Sequence, residues 1–218
     1  MKYKVFGIGS SKTGTTSLSH ALKRHHFKIY PGSYTSANHL MPMIKDKNYK
    51  SFFEVINKFD CFDDVPFSHG EIYKILYKKY HNAKFILTVR DPDSWFKSLS
   101  HQLTFNRDKK MLPLQKCIEC GWDGLHDHIK LTYGNISLHK DKKYIIKTYE
   151  KRNKEIQEFF KDKPGKLLVM DICCGDDKEN MKLLKKFLGV ESEFDAIPHF
   201  NIKVHLKNHL NLSKRKNR

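Results

Sequence analysis

The stretch Lys4-Val-Phe-Gly-Ile-Gly-Ser-Ser-Lys12-Thr-Gly14-Thr15-Thr16-Ser17-Leu18 decides the architecture of this chain. Val5, Phe6 and Ile8 have the length and residue types of a short buried strand. Small residues follow, and then Leu18, Ala21 and Leu22 fall at helical spacing. A strand, a small-residue loop and a helix N-terminus aim backbone N–H groups and the helix dipole at one spot, which makes an anion cradle. Lys12 adds a full charge there, and Thr15, Thr16 and Ser17 add hydroxyls. Gly9 and Gly14 have the separation of the motif G-x-x-x-x-G-K-[ST]. Thr15, however, stands at the lysine position, and the cation precedes Gly14 by two residues. Taken alone, such a glycine pair fits an ordinary strand-to-helix turn with a solvated lysine better, so the rest of the chain must decide.

Further strands alternate with helices. Phe59 to Phe67 reads as a short extended piece stopped by Pro66, and Lys84 to Val89 as a strand buried on both faces. Lys166 to Asp171 reads as a third buried strand. Helical spacing marks Ser51–Phe59, Glu71–Tyr80, Ser94–Leu103, Tyr144–Phe160 and Lys178–Leu188. The stretch from Pro31 to Asn48 reads as loop-rich, and Arg107 to Asp141 as an irregular insertion with short helices. The pattern predicts an α/β fold: a three-layer α/β/α P-loop-type domain with a mainly parallel sheet. A single domain is expected over 1–202, with a basic tail over 203–218. In such sheets ligands bind beyond the carboxyl ends of the strands, and the Lys12 loop, Asp64 and Arg90 all follow strand ends.

The chain carries 41 Lys+Arg against 24 Asp+Glu, a formal charge of +17 that suits anionic ligands. Its five cysteines, Cys117-x-x-Cys120 among them, supply neither a disulfide framework nor a second pair at zinc spacing, so buried free thiols are expected. His20, His25 and His26 read as solvated. A strand begins within a few residues of the start, and no apolar run reaches the ~20 residues of a membrane span. The expectation is a soluble cytoplasmic protein.

Arg90 directly follows a buried strand, and Ser98 comes eight residues later on the next helix. If that helix begins near Ser94, Ser98 lies one turn in and faces the strand end. An arginine fork plus a hydroxyl suits a phosphate monoester, although Arg90 pairing with Asp91 fits the same residues. Two phosphate sites on two strand ends describe a ligand phosphorylated at two separate positions.

Ser11-Lys12-Thr13-Gly14-Thr15-Thr16-Ser17-Leu18 resembles the 5′-phosphosulfate loop of P-loop sulfotransferases, and Arg90-Asp-Pro-Asp-Ser-Trp-Phe-Lys-Ser98 resembles their 3′-phosphate motif. Phe59-Asp-Cys-Phe-Asp-Asp-Val-Pro66, Leu167-Leu-Val-Met-Asp171 and the run from Phe187 to Asn201 are similar to the small sulfotransferases of microbes and lower eukaryotes. The resemblance implies transfer of a sulfuryl group from 3′-phosphoadenosine 5′-phosphosulfate (PAPS) to a hydroxyl or amine, with adenosine 3′,5′-bisphosphate as the product and no metal required. It implies that Ser11, Lys12, Thr13, Gly14, Thr15, Thr16 and Ser17 hold the 5′ side, and Arg90 and Ser98 the 3′-phosphate. The acceptor is expected to be a small molecule or a glycan.

Family members place the general base at a strand end between the two phosphate motifs. That slot here is Asp63-Asp64-Val65-Pro66, with Asp64 aligning best, His69 in reserve, and Asp63 facing away if the segment is extended. Trp95, Trp122 and Tyr133 are candidates for lining an acceptor site, and His199 for packing. Cytosolic members often carry an adenine-stacking aromatic where Ser17 stands, and their C-terminal Arg-Lys-Gly segment has no clear counterpart. Two other readings stay open at this level. One is a non-catalytic polyanion- or nucleic-acid-binding protein, though no recognised nucleic-acid motif is present. The other is a nucleotide-dependent kinase, opposed by Thr15. Acceptor identity, adenine contacts and oligomeric state are not written in the sequence.

Overall fold

Three strands share the register of the opening stretch, and a fourth extends the sheet. In the computed structural model, which describes residues 3–31, 33–103, 123–134 and 141–200, β1 (Val5–Gly7), β2 (Cys61–Phe62), β3 (Lys84–Thr88) and β4 (Leu167–Met170) form one parallel sheet in the order β2-β1-β3-β4. Val5 pairs with Cys61 and Lys84, and Phe6 with Phe62 and Phe85. The three phenylalanines therefore lie in a row across one face, with centroids 5.3 and 5.5 Å from the Phe6 ring. Alternation sends Val5, Cys61 and Ile86 to the opposite face.

Two helices cover that second face: α1 (Thr15–Arg24) through Leu18, Ala21 and Leu22, and α8 (Asp177–Leu188) through Met181, Leu184 and Leu188. The phenylalanine face is covered by α2 (Ser33–Lys45), α3 (Tyr49–Ile56), α4 (Ile72–Lys79), α5 (Pro92–Leu103), α6 (Asp123–Tyr133) and α7 (Lys142–Phe160). The domain is thus the expected α/β/α sandwich, six described helices on one side and two on the other.

Several local expectations change. The loop-rich reading before Asn48 gives way to α2, whose Ala37, Leu40, Met41 and Ile44 are buried at helical spacing in spite of Pro42 within the helix. The third strand is not buried throughout: β4 is an edge strand, and Val169 is exposed. Helix α5 starts at Pro92 rather than Ser94, because Asp91 Oδ1 accepts from Ser94 N (2.8 Å) and caps it. The insertion contains a helix, as expected: α6, which packs on α2. The remainder of the insertion, with Trp122, Cys117 and Cys120, lies outside the described residues, as does the basic tail. No described helix is long and apolar enough to cross a membrane.

Candidate active site

The loop after β1 can take its path only because position 9 is glycine. A Cβ there would fall 2.0 Å from Thr88 Oγ1 and 2.5 Å from the Thr88 carbonyl oxygen at the end of β3. Beyond that crossing, three successive carbonyls are anchored. Thr13 Oγ1 donates to Ser10 O (2.6 Å), the Trp95 indole Nε1 to Ser11 O (3.0 Å), and Arg90 Nη1 to Lys12 O (3.2 Å). A trans peptide sets N–H opposite C=O, so the amides of Ser11, Lys12 and Thr13 point away from those anchors. The next residues lead into α1, whose N-cap is Gly14 with no side-chain cap. The first-turn amides of a helix have no intrahelical acceptors, and they face the same region. Both Lys12 (φ 74°) and Gly14 (φ 94°) are left-handed. For Lys12, an L-residue, that conformation costs roughly 1–2 kcal/mol.

The Lys12 ammonium is half-buried. Burial lowers its pKa, Arg90 adds to the lowering, and Asp64 and Cys173 oppose it. Of the loop hydroxyls, Thr16 alone is exposed. Thr13 meets Thr88 Oγ1 (2.6 Å), Thr15 donates to Asp64 Oδ2 (3.2 Å), and Ser17 Oγ accepts from Phe200 N (3.1 Å).

Asp64 follows β2 and sits beside the loop. Its carboxylate accepts from Ser11 Oγ, Thr15 Oγ1 and Val65 N (3.0 Å). Burial pushes its pKa up, while those three donors and Lys12 hold it down. The extended reading sent Asp63 the other way, but Asp64 has φ 60°, which breaks the strand alternation. Both carboxylates therefore border one open cleft with Thr15, Thr16, Ser19, His20 and Lys23. Asp63 has fewer donors: burial, and then the charge of Asp64, push it up to about 8, with Ser19 opposing.

Arg90, after β3, is fixed through its own peptide groups. Tyr149 of α7 donates to Arg90 O and accepts from Arg90 N, each at 3.0 Å, and its ring stacks on Trp95 at 4.0 Å. The guanidinium reaches the loop through Nη1, while Nε is buried with no hydrogen-bond partner among the described residues. With α5 starting at Pro92, Ser98 lies in the second turn and is half-buried. The loop, Asp64 and Arg90 therefore come together at the ends of three adjacent strands, and Ser98 stands one turn further along α5.

Other histidines and cysteines sort differently. His69 is half-buried and meets Thr132 Oγ1 (3.2 Å), and burial pushes its pKa down to about 4. His25 is buried rather than solvated, whereas His20 is exposed and stacks on Phe200. His199 meets Asp177 Oδ2 at 2.5 Å instead of packing in the core. The described cysteines are free thiols, with Cys61 buried and Cys174 exposed. Among the described residues no group of three or more His, Cys, Asp or Glu is placed to hold a metal ion.

Three contributors escaped the sequence reading. Thr88 and Tyr149 carry no motif, and their roles depend on tertiary register. Arg152 did leave a signal: it occupies the apolar stripe Ile145, Tyr149, Ile156, Phe160 of α7, where a charge is out of place.

A parallel sheet with a small-residue loop after its first strand, a carboxylate after a neighbouring strand and an arginine after another defines a P-loop-type α/β/α fold. The sulfotransferase domain model matches residues 4–205, and the chain belongs to that family, whose chemistry is sulfuryl transfer. No curated protein matches the chain.

Proposed function

We propose that this protein is a PAPS-dependent sulfotransferase that modifies a hydroxyl or amine of a small-molecule or glycan acceptor. The observation supporting this most is the hydrogen-bonded continuity of the cluster: Arg90 to the loop carbonyl of Lys12, and the loop hydroxyls of Ser11 and Thr15 to Asp64. The residues fit the donor chemically. An amide-lined loop suits the 5′ side, and an arginine with a buried, unpartnered Nε suits a second phosphate. Ser98 completes that second site in the proposal.

PAPS supplies an activated sulfuryl group: the acceptor lone pair bonds to sulfur while the sulfur–oxygen bond to the phosphate breaks, leaving its electron pair on adenosine 3′,5′-bisphosphate. The protein's work is positioning and charge stabilisation. Lys12 and the loop amides offset the charge growing on the leaving oxygen. Asp64 takes the acceptor proton, and its three donors hold the carboxylate in one orientation. Gly14, Thr13, Thr16 and Ser17 contribute through the backbone of the loop and the first turn of α1. In this reading the catalytic unit spans 1–202.

Thermal melting separates this reading from a kinase. Adenosine 3′,5′-bisphosphate is expected to raise the melting temperature more than ATP·Mg does. Equal shifts, or none from either, would overturn the proposal.

A further inference from the structure

Behind the loop, α5, α6 and α7 enclose a cavity of about 30 Å³. That is room for about two water-sized groups. Ser10 and Ser11 of the loop form part of its wall, and Trp95 and Tyr149 another part. Arg152 also lines it and is 9% exposed. Its guanidinium donates to Ile8 O through Nη1 (2.9 Å) and to Gly70 O through Nε (3.4 Å). Nη2 is buried and has no partner among the described residues. Ser68 Oγ and His128 Nδ1, on the same wall, are likewise buried and unpartnered. No described lining residue is acidic, and Arg152 makes no salt bridge among the described residues.

A buried cation without a counter-charge is costly, and so is each buried donor left unmade. Burial lowers the Arg152 pKa to about 10, which leaves it charged at neutral pH, and holds His128 at about 3, uncharged. One positive charge, one hydroxyl and one neutral imidazole thus surround a space matching two oxygens. That complement suits a carboxylate.

We propose that the acceptor carries a carboxylate, received by Arg152, Ser68 and His128 in this chamber. Ser11 is common to the chamber wall and to the Asp64 hydrogen-bond network, which sets the chamber next to the proposed base. The inference rests on the sulfuryl-transfer reading above.

The test uses 4-hydroxybenzoate and its neutral amide as probes. Trp95 fluorescence is followed in a Trp122→Phe background, because Trp95 lines the cavity. The acid is expected to bind at least about tenfold more tightly, a difference of ~1.4 kcal/mol. Arg152→Gln should erase the preference. Ser68→Val, which fills the chamber and leaves every Arg152 hydrogen bond in place, should erase it too and covers the case in which Arg152→Gln does not fold. Equal binding of acid and amide, or a preference surviving Ser68→Val, overturns the inference. Adenosine 3′,5′-bisphosphate binding is measured on the same samples. Its loss in the unsubstituted protein overturns the donor reading, and with it the assignment of the chamber to an acceptor. Normal bisphosphate binding beside equal acid and amide binding overturns the chamber alone.

Discussion

Asp63 and Asp64 are neighbours with unequal surroundings, and the difference is measurable. Asp63 binds its proton at about 8 in the folded chain and at about 4 when unfolded. Between those values the native state holds more protons, so this group's stabilising contribution is full below about pH 4 and is lost as pH rises toward about 8. Asp63→Asn removes that slope. Its melting temperature relative to the unsubstituted protein should climb between about pH 5 and 8, and a flat difference would deny the raised pKa. At Lys12 the proposed role is in the transition state. Lys12→Ala should lower turnover by roughly 100- to 1,000-fold in a sulfate-transfer assay. Asp64→Ala should also lower turnover while bisphosphate affinity holds; loss of that affinity would make Asp64 a structural support of the loop.

Helix α7 supports Arg90 and Trp95 from behind the loop. Through one hydroxyl, Tyr149 satisfies both main-chain groups of Arg90, and its ring holds Trp95 where the indole reaches Ser11 O. Tyr149→Phe keeps the stack and leaves those two groups without this partner. A loss of about 1–3 kcal/mol is expected from denaturant midpoints, with weaker bisphosphate binding beside it. An unchanged midpoint would show that solvent replaces the hydroxyl at no cost. Elements of this kind were legible as helices from periodicity, but their duties were not. Two of the departures have local causes. Helix α2 has a clear apolar stripe that Pro42 disguises, since proline withholds one intrahelical bond. In α5, Asp91-Pro92 supplies cap and first-turn residue, which moves the start ahead of Ser94 and carries Ser98 a further half-turn along.

Across the whole molecule, the alternation of strands and helices made the α/β sandwich and the placement of the loop, Asp64 and Arg90 at strand ends readable in advance. The sheet order β2-β1-β3-β4 and the exposed edge at β4 were not, because nothing in β4's apolar run distinguishes an edge from a centre. Nor was the Arg152 chamber, which exists only where three helices meet the loop. The formal charge of +17 bears on the proposed donor site as a whole. Bisphosphate affinity should weaken several-fold as salt is raised from about 0.05 to 0.3 M, while any affinity for neutral adenosine stays level. Equal salt responses for the two would assign the binding to contacts other than charge.

The anchors of the opening loop lie far away in the chain: Ser11 and Lys12 are held from Trp95 and Arg90, and Ile8 from Arg152, 144 residues on. A chain stopped before Lys142 would contain every residue of the loop, yet α7 would be missing from behind Arg90 and Trp95. Such long loop closures come late in folding, because the entropy lost is repaid only when the distant partner docks. In the proposed reading, donor capture therefore becomes a property of the finished molecule. During synthesis, the loop would acquire that proposed grip only after α7 has been made.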